Sequence, residues 1–426
     1  MLMAVIFVAL LIMLCINVPI AVALAMTGVL GLLFTEGADS LVTIALDMYN
    51  GSTKFSLIAI PMFVLAGAIM NAGGVTDRLI NFVTAIIGFI RGGLAMVNIG
   101  VSLFFAEISG SAVADVAAMG SILIPQMKKR GYSKEFSAAV TSSSASLAII
   151  IPPSIPMILY AASANTSVEQ LFVAGVVPGL LGAAGLMGVA YAFAKRYNFP
   201  VEEAFSMANL RATFVDALPA FALPVIILGG IFGGFVTATE AAGLAVIAAL
   251  IVSAWYRNLD LGHLRRALLD GGMQTAVVML LVAASVLMGG FLTRAQIPQH
   301  LAESILSITT QQWAILLILN IFFLIIGFFL HSAAAIILVI PIVIPLITAA
   351  GIDPVHFGLV VTLNLAIGQQ TPPVASVLIT ACSVARANIW SVSKVNVWFV
   401  GVLLAVLMLC TYVPSVPMFL VEYFYR

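Results

Sequence analysis

Polar and helix-breaking residues interrupt the apolar sequence between positions 107 and 153. Ser109-Gly110-Ser111 and Pro152-Pro153 lie within runs that are otherwise apolar enough for a membrane interior. A hydrocarbon layer offers no water to unpaired backbone groups, so a broken helix is tolerated there only where it lines a cavity inside the protein. The stretch therefore predicts helices that break at membrane depth around a cavity.

The same pattern returns about 220 residues later in the chain. Three features keep their register at that interval: Ile124-Pro125 with Ile344-Pro345, Gly131 with Gly351, and Pro152-Pro153 with Pro372-Pro373. Paired interruptions at matching positions of two halves are the best sequence indication of a transporter's binding site. We therefore expect two repeats whose interruptions meet at one site.

Composition places the chain in a membrane. Of its 426 residues, 63% are hydrophobic and only 8% are charged, whereas a soluble domain carries roughly a quarter charged residues. Long apolar runs of about 20 residues predict an all-α polytopic membrane protein in a lipid bilayer. The apolar N-terminus has neither a basic region nor a small-residue cleavage site, and we expect it to be a retained first helix. The formal net charge is zero, so the charge gives no indication of nucleic-acid binding.

The sequence contains no motif for catalysis or for a bound cofactor. It lacks a Gly-rich phosphate loop, a His/Glu metal pair at helical spacing and a nucleophile elbow. Cys15, Cys382 and Cys410 lie in apolar segments without metal-site spacing and are interpreted as packing residues. We therefore expect neither an enzyme nor a cofactor, and an ion gradient as the driving force.

The predicted organisation is two repeats joined by a polar connector. The first repeat covers 1–197, the connector 198–211 and the second repeat 212–426. Each repeat contains a hairpin and a broken helix. These lie at about 92–127 and 133–162 in the first repeat and at about 312–346 and 355–384 in the second, where a last helix follows at about 395–419.

The hairpin at 92–127 allows two interpretations. It is either two full spans with a tight turn or a re-entrant hairpin that enters and leaves the membrane on the same side. Each arm has about 16 residues, which is near the lower limit for spanning, and the tip consists of small residues. These features favour the re-entrant form.

Basic residues orient the chain. Arg91 and the cluster at 128–130 flank the first hairpin, and positive clusters mark cytoplasmic loops. With these flanks in the cytoplasm, all of the 17 basic residues except Lys54, Arg294 and Arg426 fall on the cytoplasmic side. The flanks of the second hairpin then lie outside, which predicts inverted repeats with an odd number of crossings each. Both termini are expected on the periplasmic side.

Hairpin tips and helix breaks bring helix ends to the middle of the membrane. C-terminal ends present carbonyl oxygens and partial negative charge, which suit a hard cation such as sodium. N-terminal ends present amides and partial positive charge, which suit a carboxylate. In each half the tip and the neighbouring break can meet, which predicts one cation site per repeat.

The candidate ligands lie at these tips and breaks. For sodium they are Ser109, Gly110, Ser111, Asp115, Ser143, Ser144 and Pro152 in the first half, and Gly327, His331, Ser332, Asn364, Gly368, Gln369 and Thr371 in the second. For the substrate they are Ser111, Ser154, Gln370 and Pro373. Sodium is the only metal ion that we expect.

Several of these residues have a structural alternative. Serines are common in membrane helices because they allow close packing and bonding between helices, so any one serine of 141–146 is as readily a packing residue. Glu240 follows Thr237 by three residues and is expected to cap its helix. His331 is either a proton-sensitive group or a satisfied polar residue.

The chain resembles the large membrane subunit of tripartite ATP-independent periplasmic (TRAP) transporters over essentially its whole length. The motifs that carry the resemblance are G-S-A-V-A-D-V-A-A-M-G-S-I-L-I-P-Q-M (110–127), I-I-P-P-S (150–154), G-G-F-V-T-A-T-E-A-A (233–242) and T-P-P-V (371–374). The resemblance implies a fold of the ion-transporter superfamily that works as an elevator, in which a transport domain of hairpins and broken helices slides against a scaffold.

The resemblance also implies how such a protein is coupled and assembled. It implies sodium as the coupling ion, a small four-helix membrane subunit and a periplasmic substrate-binding protein as partners, and the bacterial inner membrane as location. The implied substrates are organic acids, notably sialic acid and C4-dicarboxylates. Many members carry an acidic residue at the second hairpin tip, where this chain has Leu330-His331-Ser332. This departure points to a different substrate class or a changed second cation site.

Two other functions remain open at this stage. One is a stand-alone carrier of the same superfamily, for dicarboxylates or for sodium/proton exchange, and the other is an ion channel. Transport by this chain alone in proteoliposomes would favour the carrier. Saturable, sodium-dependent uptake without single-channel currents would exclude the channel.

We predict that Lys129 and Gly351 face opposite sides of the membrane, because they follow equivalent hairpins of two oppositely oriented repeats. The variants Lys129→Cys and Gly351→Cys, made without the native cysteines, would be labelled with an impermeant maleimide in right-side-out and inside-out vesicles. Labelling of both positions from the same side would contradict the inverted repeat.

Overall fold

The computed structural model describes residues 2–16, 18–201, 204–257 and 260–425; within these ranges a few side chains, including those of Glu107 and Ser109, lie outside the described part. Every regular element in the described ranges is a helix. Eight of these helices are long and apolar enough to cross a membrane, as judged by length and composition. The predicted all-α polytopic fold is confirmed.

The described residues of the first half form ten α-helices. They are α1 (Leu2–Cys15), α2 (Ile20–Glu36), α3 (Ser40–Ser52), α4 (Ala59–Ala72, after the 3₁₀ turn Phe55–Ile58), α5 (Val75–Ile87), α6 (Gly93–Ser109), α7 (Ala112–Lys129), α8 (Lys134–Ala145, continued by the 3₁₀ turn Ser146–Ile149), α9 (Ile155–Ala164) and α10 (Val168–Arg196).

The second half begins with an irregular helix and then follows the same order. Its elements are α11 (Met207–Ala217), the 3₁₀ turn Leu218–Phe221, α12 (Ala222–Pro224), the π-helical turn Val225–Gly229, α13 (Gly230–Phe232), α14 (Ala238–Trp255), α15 (Leu261–Arg294), α16 (Ile297–Ile308), α17 (Gln312–Phe329), α18 (Ser332–Ala349), α19 (Pro354–Gly368), α20 (Ser376–Ala385), α21 (Ile389–Tyr412) and α22 (Ser415–Tyr425).

Helix starts recur at the interval seen in the sequence. The helices α7, α8, α9 and α10 start at 112, 134, 155 and 168, and α18, α19, α20 and α21 start at 332, 354, 376 and 389. Both helix breaks contain a cis peptide bond, at Pro152-Pro153 and Pro372-Pro373. The opposite orientation of the two repeats stays a prediction.

Three boundaries differ from the sequence-based expectation. The charged sequence at 257–270 predicts a surface link separate from the following span, but residues 261–270 are continuous with that span in α15. No proline interrupts 261–294, and Asp260 caps the helix by accepting from the His263 amide at 2.6 Å. The last long helix ends at Tyr412, and Pro414, which lacks an amide proton, separates it from α22. The connector ends at Ser206, whose side chain caps α11.

Four long helices pair across the two halves. The helix α2 lies along α15, and α4 lies along both α14 and α15; we call these four the scaffold helices. The helices α6–α9 and α17–α20, which we call the hairpin group, contain both hairpins and both broken helices. In this group α7 packs on α20 and α18 packs on α9. Each hairpin therefore contacts the broken helix of the other half.

Each hairpin also rests on the break of its own half. Gly110 has a φ of +60°, and a Cβ atom there would lie 2.7 Å from the Pro153 carbonyl oxygen. Only glycine combines this conformation with so close an approach. In the second half the backbones of Gly327 and Gly368 touch, since a Cβ atom on Gly368 would lie 2.5 Å from the Gly327 Cα atom.

We predict that Gly368→Ala destabilises the protein by about 1–3 kcal/mol, because the added methyl group has no space beside the Gly327 backbone. The measurement is the midpoint of thermal unfolding in detergent. Gly243→Ala is the matched control, because a Cβ atom at this helical glycine meets nothing within 4 Å. Equal midpoints for the two variants would contradict the close contact.

Candidate binding cavity

A cavity of about 450 Å³ lies between the scaffold helices and the two hairpin tips. The first tip contributes Gly110, Ser111 and Ala112, the second contributes His331, Ser332 and Ala333, the helix breaks contribute Ile149 and Gln369, and α4 and α15 contribute Val64, Met273, Gln274, Val277 and Val278. We call it the main cavity. The structure thus places residues of both tips and both breaks around one cavity.

Two helix N-termini open onto the main cavity. The helix α7 starts at Ala112 and α18 starts at Ser332, and both starts line the cavity wall. The first amides of a helix have no partner within that helix, and each N-terminus carries roughly half a positive charge. The main cavity therefore has the electrostatics of an anion site.

His331 presents a hydrogen-bond donor at the second tip. Its Nδ1 atom accepts from the Ala333 amide at 3.4 Å, so in this arrangement the proton of the neutral imidazole is on Nε2. The side chain lines the cavity and is exposed to its space. His331 therefore belongs to the wall of the main cavity as well as to the helix cap.

Ser143 and Gln370 belong to a buried network that joins the two halves. The Ser143 hydroxyl lies 2.8 Å from Gln370 Oε1 and 2.7 Å from Asn396 Oδ1, and it can donate to one of them at a time. Gln370 Nε2 donates to the Ser146 hydroxyl, and Asn396 Nδ2 donates to the Gln370 carbonyl oxygen at 3.1 Å. These side chains hold α8, the second helix break and α21 together.

Ser144 belongs to a second polar cluster, between α6 and α8. Its hydroxyl donates to Asn98 Oδ1 at 3.0 Å and accepts from the Ser102 hydroxyl at 2.9 Å. Asn98 Nδ2 donates to the Thr141 hydroxyl at 2.7 Å. All four side chains are buried, so the geometry favours helix packing for Ser144, the alternative that the sequence left open.

Asn364 has the one free buried oxygen among the second-half candidates for which side chains are described. Its Nδ2 donates to Asn320 Oδ1 at 2.6 Å and to the Val360 carbonyl oxygen at 2.8 Å, whereas its Oδ1 has no hydrogen-bond partner. A buried oxygen without a donor is costly, and a cation would satisfy it. Asn364 is therefore the predicted sodium ligand that the geometry supports best.

The other described candidates lie in four places. The main cavity is lined by Gly110, Ser111, His331, Ser332 and Gln369. The backbone contact beside the second tip is formed by Gly327 and Gly368. Thr371 donates to the Ile367 carbonyl oxygen of its own helix at 3.0 Å. The Ser109 side chain lies outside the described part, and Pro152 lies buried in the first break.

Of the four predicted substrate ligands, Ser111 alone lines the main cavity. Ser154 instead caps α9 by accepting from the Met157 amide, and it donates to the Ile149 carbonyl oxygen at 2.7 Å. Gln370 lies in the buried network, and Pro373 is exposed but does not line the cavity. The substrate roles of Ser154, Gln370 and Pro373 stay predictions without support from this geometry.

The acidic candidates have different environments. Glu240 caps α14 in a capping box, since its carboxylate accepts from the Thr237 amide at 2.8 Å and its amide donates to the Thr237 hydroxyl. The capping interpretation of Glu240 is confirmed. Asp115 is buried and lines a small side cavity of about 70 Å³, together with Asn71 and Gln274.

Gln274 is a cavity residue that the sequence analysis missed. It lies in the middle of α15 and lines both the main cavity and the side cavity. The available signal was a lone amide side chain within an apolar run after Gly271-Gly272. Gln274 does not belong to the tips and breaks that recur at an interval of about 220 residues, and the candidate ligands were chosen from those tips and breaks.

The chain belongs to the family of the tripartite ATP-independent periplasmic transporter, DctM component, whose family model matches residues 7–416. It is a TRAP transporter large permease, as the resemblance implied. Its relatives are transport proteins, and no catalytic family is indicated.

Relatives with different named substrates are similar to this chain. The C4-dicarboxylate large permease DctM of Pseudomonas aeruginosa is 39% identical over 93% of each chain. The sialic acid large permease SiaM of Vibrio cholerae is 36% identical over 89% of each. The isethionate permease protein DctMQ of Oleidesulfovibrio alaskensis is 40% identical over 95% of this chain, which spans only 64% of that longer protein.

One solved structure shares the fold at low sequence identity. The YdaH transporter of Alcanivorax borkumensis, whose crystal structure is described as having an unusual topology, superposes with a TM-score of 0.64. The match covers 89% of each chain at 14% identity. It supports the fold and not a shared substrate.

We predict that Gln370→Leu lowers the midpoint of thermal unfolding, by the equivalent of about 1–3 kcal/mol. The substitution removes the donor to the buried Ser146 hydroxyl and leaves Ser143 with Asn396 as its one remaining partner in this network. Gln299→Leu on the exposed face of α16 is the control and should change little. An unchanged midpoint together with lost transport would instead support the predicted role of Gln370 as a substrate ligand.

Proposed function

We propose that this large permease takes up an organic anion across the bacterial inner membrane, driven by sodium. The observation that carries the proposal is that the N-termini of α7 and α18 both line one cavity between the scaffold helices and the hairpin group. Two partial positive charges aimed at one space suit a carboxylate or sulfonate group. We keep the orientation predicted from the basic residues, in which both chain termini lie in the periplasm.

Sodium coupling is supported by oxygen atoms beside the hairpin tips. The helices α17 and α19 both end where Gly327 and Gly368 touch, so carbonyl oxygens of two C-termini converge beside the second tip. Asn364 Oδ1 lies one turn earlier in α19 and has no donor. Hard cations bind such carbonyl and amide oxygens. In the first half, the C-terminal end of α6 lies near the first break and is the equivalent of the end of α17.

An elevator movement is supported by the division of the helices. The main cavity lies between the scaffold helices and the hairpin group, so the cargo touches both. One polar contact beside this boundary is the Lys54 ammonium, which donates to the Ala162 carbonyl oxygen at the end of α9 at 2.6 Å. Sliding of the hairpin group past the scaffold would break this contact and carry the two tips with it.

The relatives support the substrate range and the partners. Their names include isethionate, C4-dicarboxylates and sialic acid, all of which are organic anions. We propose a substrate of this range, delivered by a periplasmic substrate-binding protein, and a small four-helix membrane subunit beside the scaffold. Reconstitution with and without a binding protein encoded beside this chain tests the partnership directly.

We predict that Asn364→Ala and Ser111→Ala raise the sodium concentration needed for half-maximal uptake by roughly tenfold, because each removes an oxygen near a predicted cation site. The measurement is uptake of labelled organic anion into proteoliposomes that hold the complete transporter, at varied external sodium. Sodium-independent uptake would refute the coupling.

Matched variants separate ion binding from packing. Asn320→Ala removes the same Asn320–Asn364 hydrogen bond but keeps Asn364 Oδ1, and Ser121→Ala removes an exposed hydroxyl that bonds within α7. Both controls should keep the original sodium requirement. Equal shifts for Asn320→Ala and Asn364→Ala would assign Asn364 to packing.

A further inference from the structure

Gln274 is the scaffold's polar contribution to the main cavity. It lies on α15, opposite the tips of the two hairpins, with Met273 and Val277 beside it. Because it also lines the side cavity with Asn71 and Asp115, it lies where the two cavities adjoin. Any molecule held by the helix N-termini would extend toward this side chain.

The Gln274 amide is available for a ligand. Within the described part of the chain it has no hydrogen-bond partner, and its side chain is exposed to the cavity. Because the amide is exposed to the cavity and has its hydrogen-bonding capacity unused, it can bond to a polar group of a molecule that occupies the cavity. An amide offers both a donor and an acceptor, and it therefore recognises an uncharged polar group such as a hydroxyl.

The charges around the main cavity match a single anionic group. No lysine or arginine of the described chain lines it. The two helix N-termini together supply roughly one positive charge. Asp115, in the first turn of α7, borders the side cavity beside Gln274, and in either protonation state it supplies no positive charge. A second carboxylate there would be desolvated without a partner, which is strongly unfavourable.

We infer that the substrate is a monoanion with an uncharged hydrogen-bonding group at its far end, and that Gln274 determines specificity by binding that group. This inference rests on the proposed function and narrows it. The anionic group lies at the tips beside Ser111 and His331, and the carbon chain passes the apolar wall formed by Met273 and Val277. C4-dicarboxylates are therefore disfavoured within the substrate range of the family.

Direct binding to the full-length chain in lipid nanodiscs tests the inference. Isothermal titration calorimetry at constant sodium would compare 2-hydroxyethanesulfonate with ethanesulfonate, 3-hydroxypropanoate with propanoate, and succinate as the dianion. We expect the hydroxylated member of at least one pair to bind roughly tenfold more tightly than its partner, which is the effect of one ordinary hydrogen bond. We expect succinate to bind more weakly than that member.

Variants of Gln274 test whether its amide causes the difference in affinity between the two anions of a pair. Gln274→Leu should reduce the ratio within that pair to about one while leaving the unhydroxylated anion's affinity nearly unchanged. Gln274→Glu, which has nearly the same shape, should weaken every anion by adding a negative charge. Gln299→Leu, on the exposed face of α16, should leave all affinities as they were.

The outcomes separate this inference from the proposed function. Tight binding of succinate, or an unchanged ratio in Gln274→Leu, overturns the inference and leaves organic-anion transport standing. Failure of all five anions to bind also overturns the inference, whereas the proposed function is decided separately by uptake of labelled organic anion into proteoliposomes that hold the complete transporter. The inference is supported if the affinity ratio between the hydroxylated anion and its partner falls to about one in Gln274→Leu and is unchanged in Gln299→Leu.

Discussion

The structure depends on the rule that a backbone broken inside a membrane must find its hydrogen-bond partners within the protein. In the first break the Ser154 hydroxyl donates to the Ile149 carbonyl oxygen at 2.7 Å, and Gly110 of the first tip packs closely against the Pro153 carbonyl group. In the second half the Val374 amide donates to the Phe328 carbonyl oxygen of the hairpin at 3.2 Å. The tips and breaks therefore stabilise one another, and neither element is expected to keep its shape alone.

One consequence is a division of labour among the buried polar side chains. The network of Ser143, Ser146, Gln370 and Asn396 lies where hairpin-group elements meet α21, and its members satisfy each other. Among the described residues, the Asn364 Oδ1 atom has no hydrogen-bond partner, and the Gln274 amide, which lines the cavity, has none either. The side chains that bond to each other hold the helices in position. The unpaired groups of Asn364 and Gln274 are the ones that we propose to bind the ion and the substrate.

Much of this arrangement was predictable because it leaves local signals. Prolines and glycines mark the breaks and tips, and the interval of about 220 residues pairs them, so the hairpins and broken helices were placed within a few residues. Glu240 was assigned as a cap from its spacing to Thr237. Individual ligands were harder, because Ser143, Ser144 and Gln370 look the same in sequence whether they face a cavity or a neighbouring helix.

The sequence by itself determined the membrane-embedded helical class, the two repeating sets of interruptions and the family, because these follow from hydropathy and from residues that a helix cannot accommodate. Only the tertiary structure decided which polar side chains face the cavity. Gln274 and His331 come from segments more than 50 residues apart in the chain, and they share a wall because α15 lies opposite the second tip. Such proximity depends on how helices pack, which no local pattern encodes.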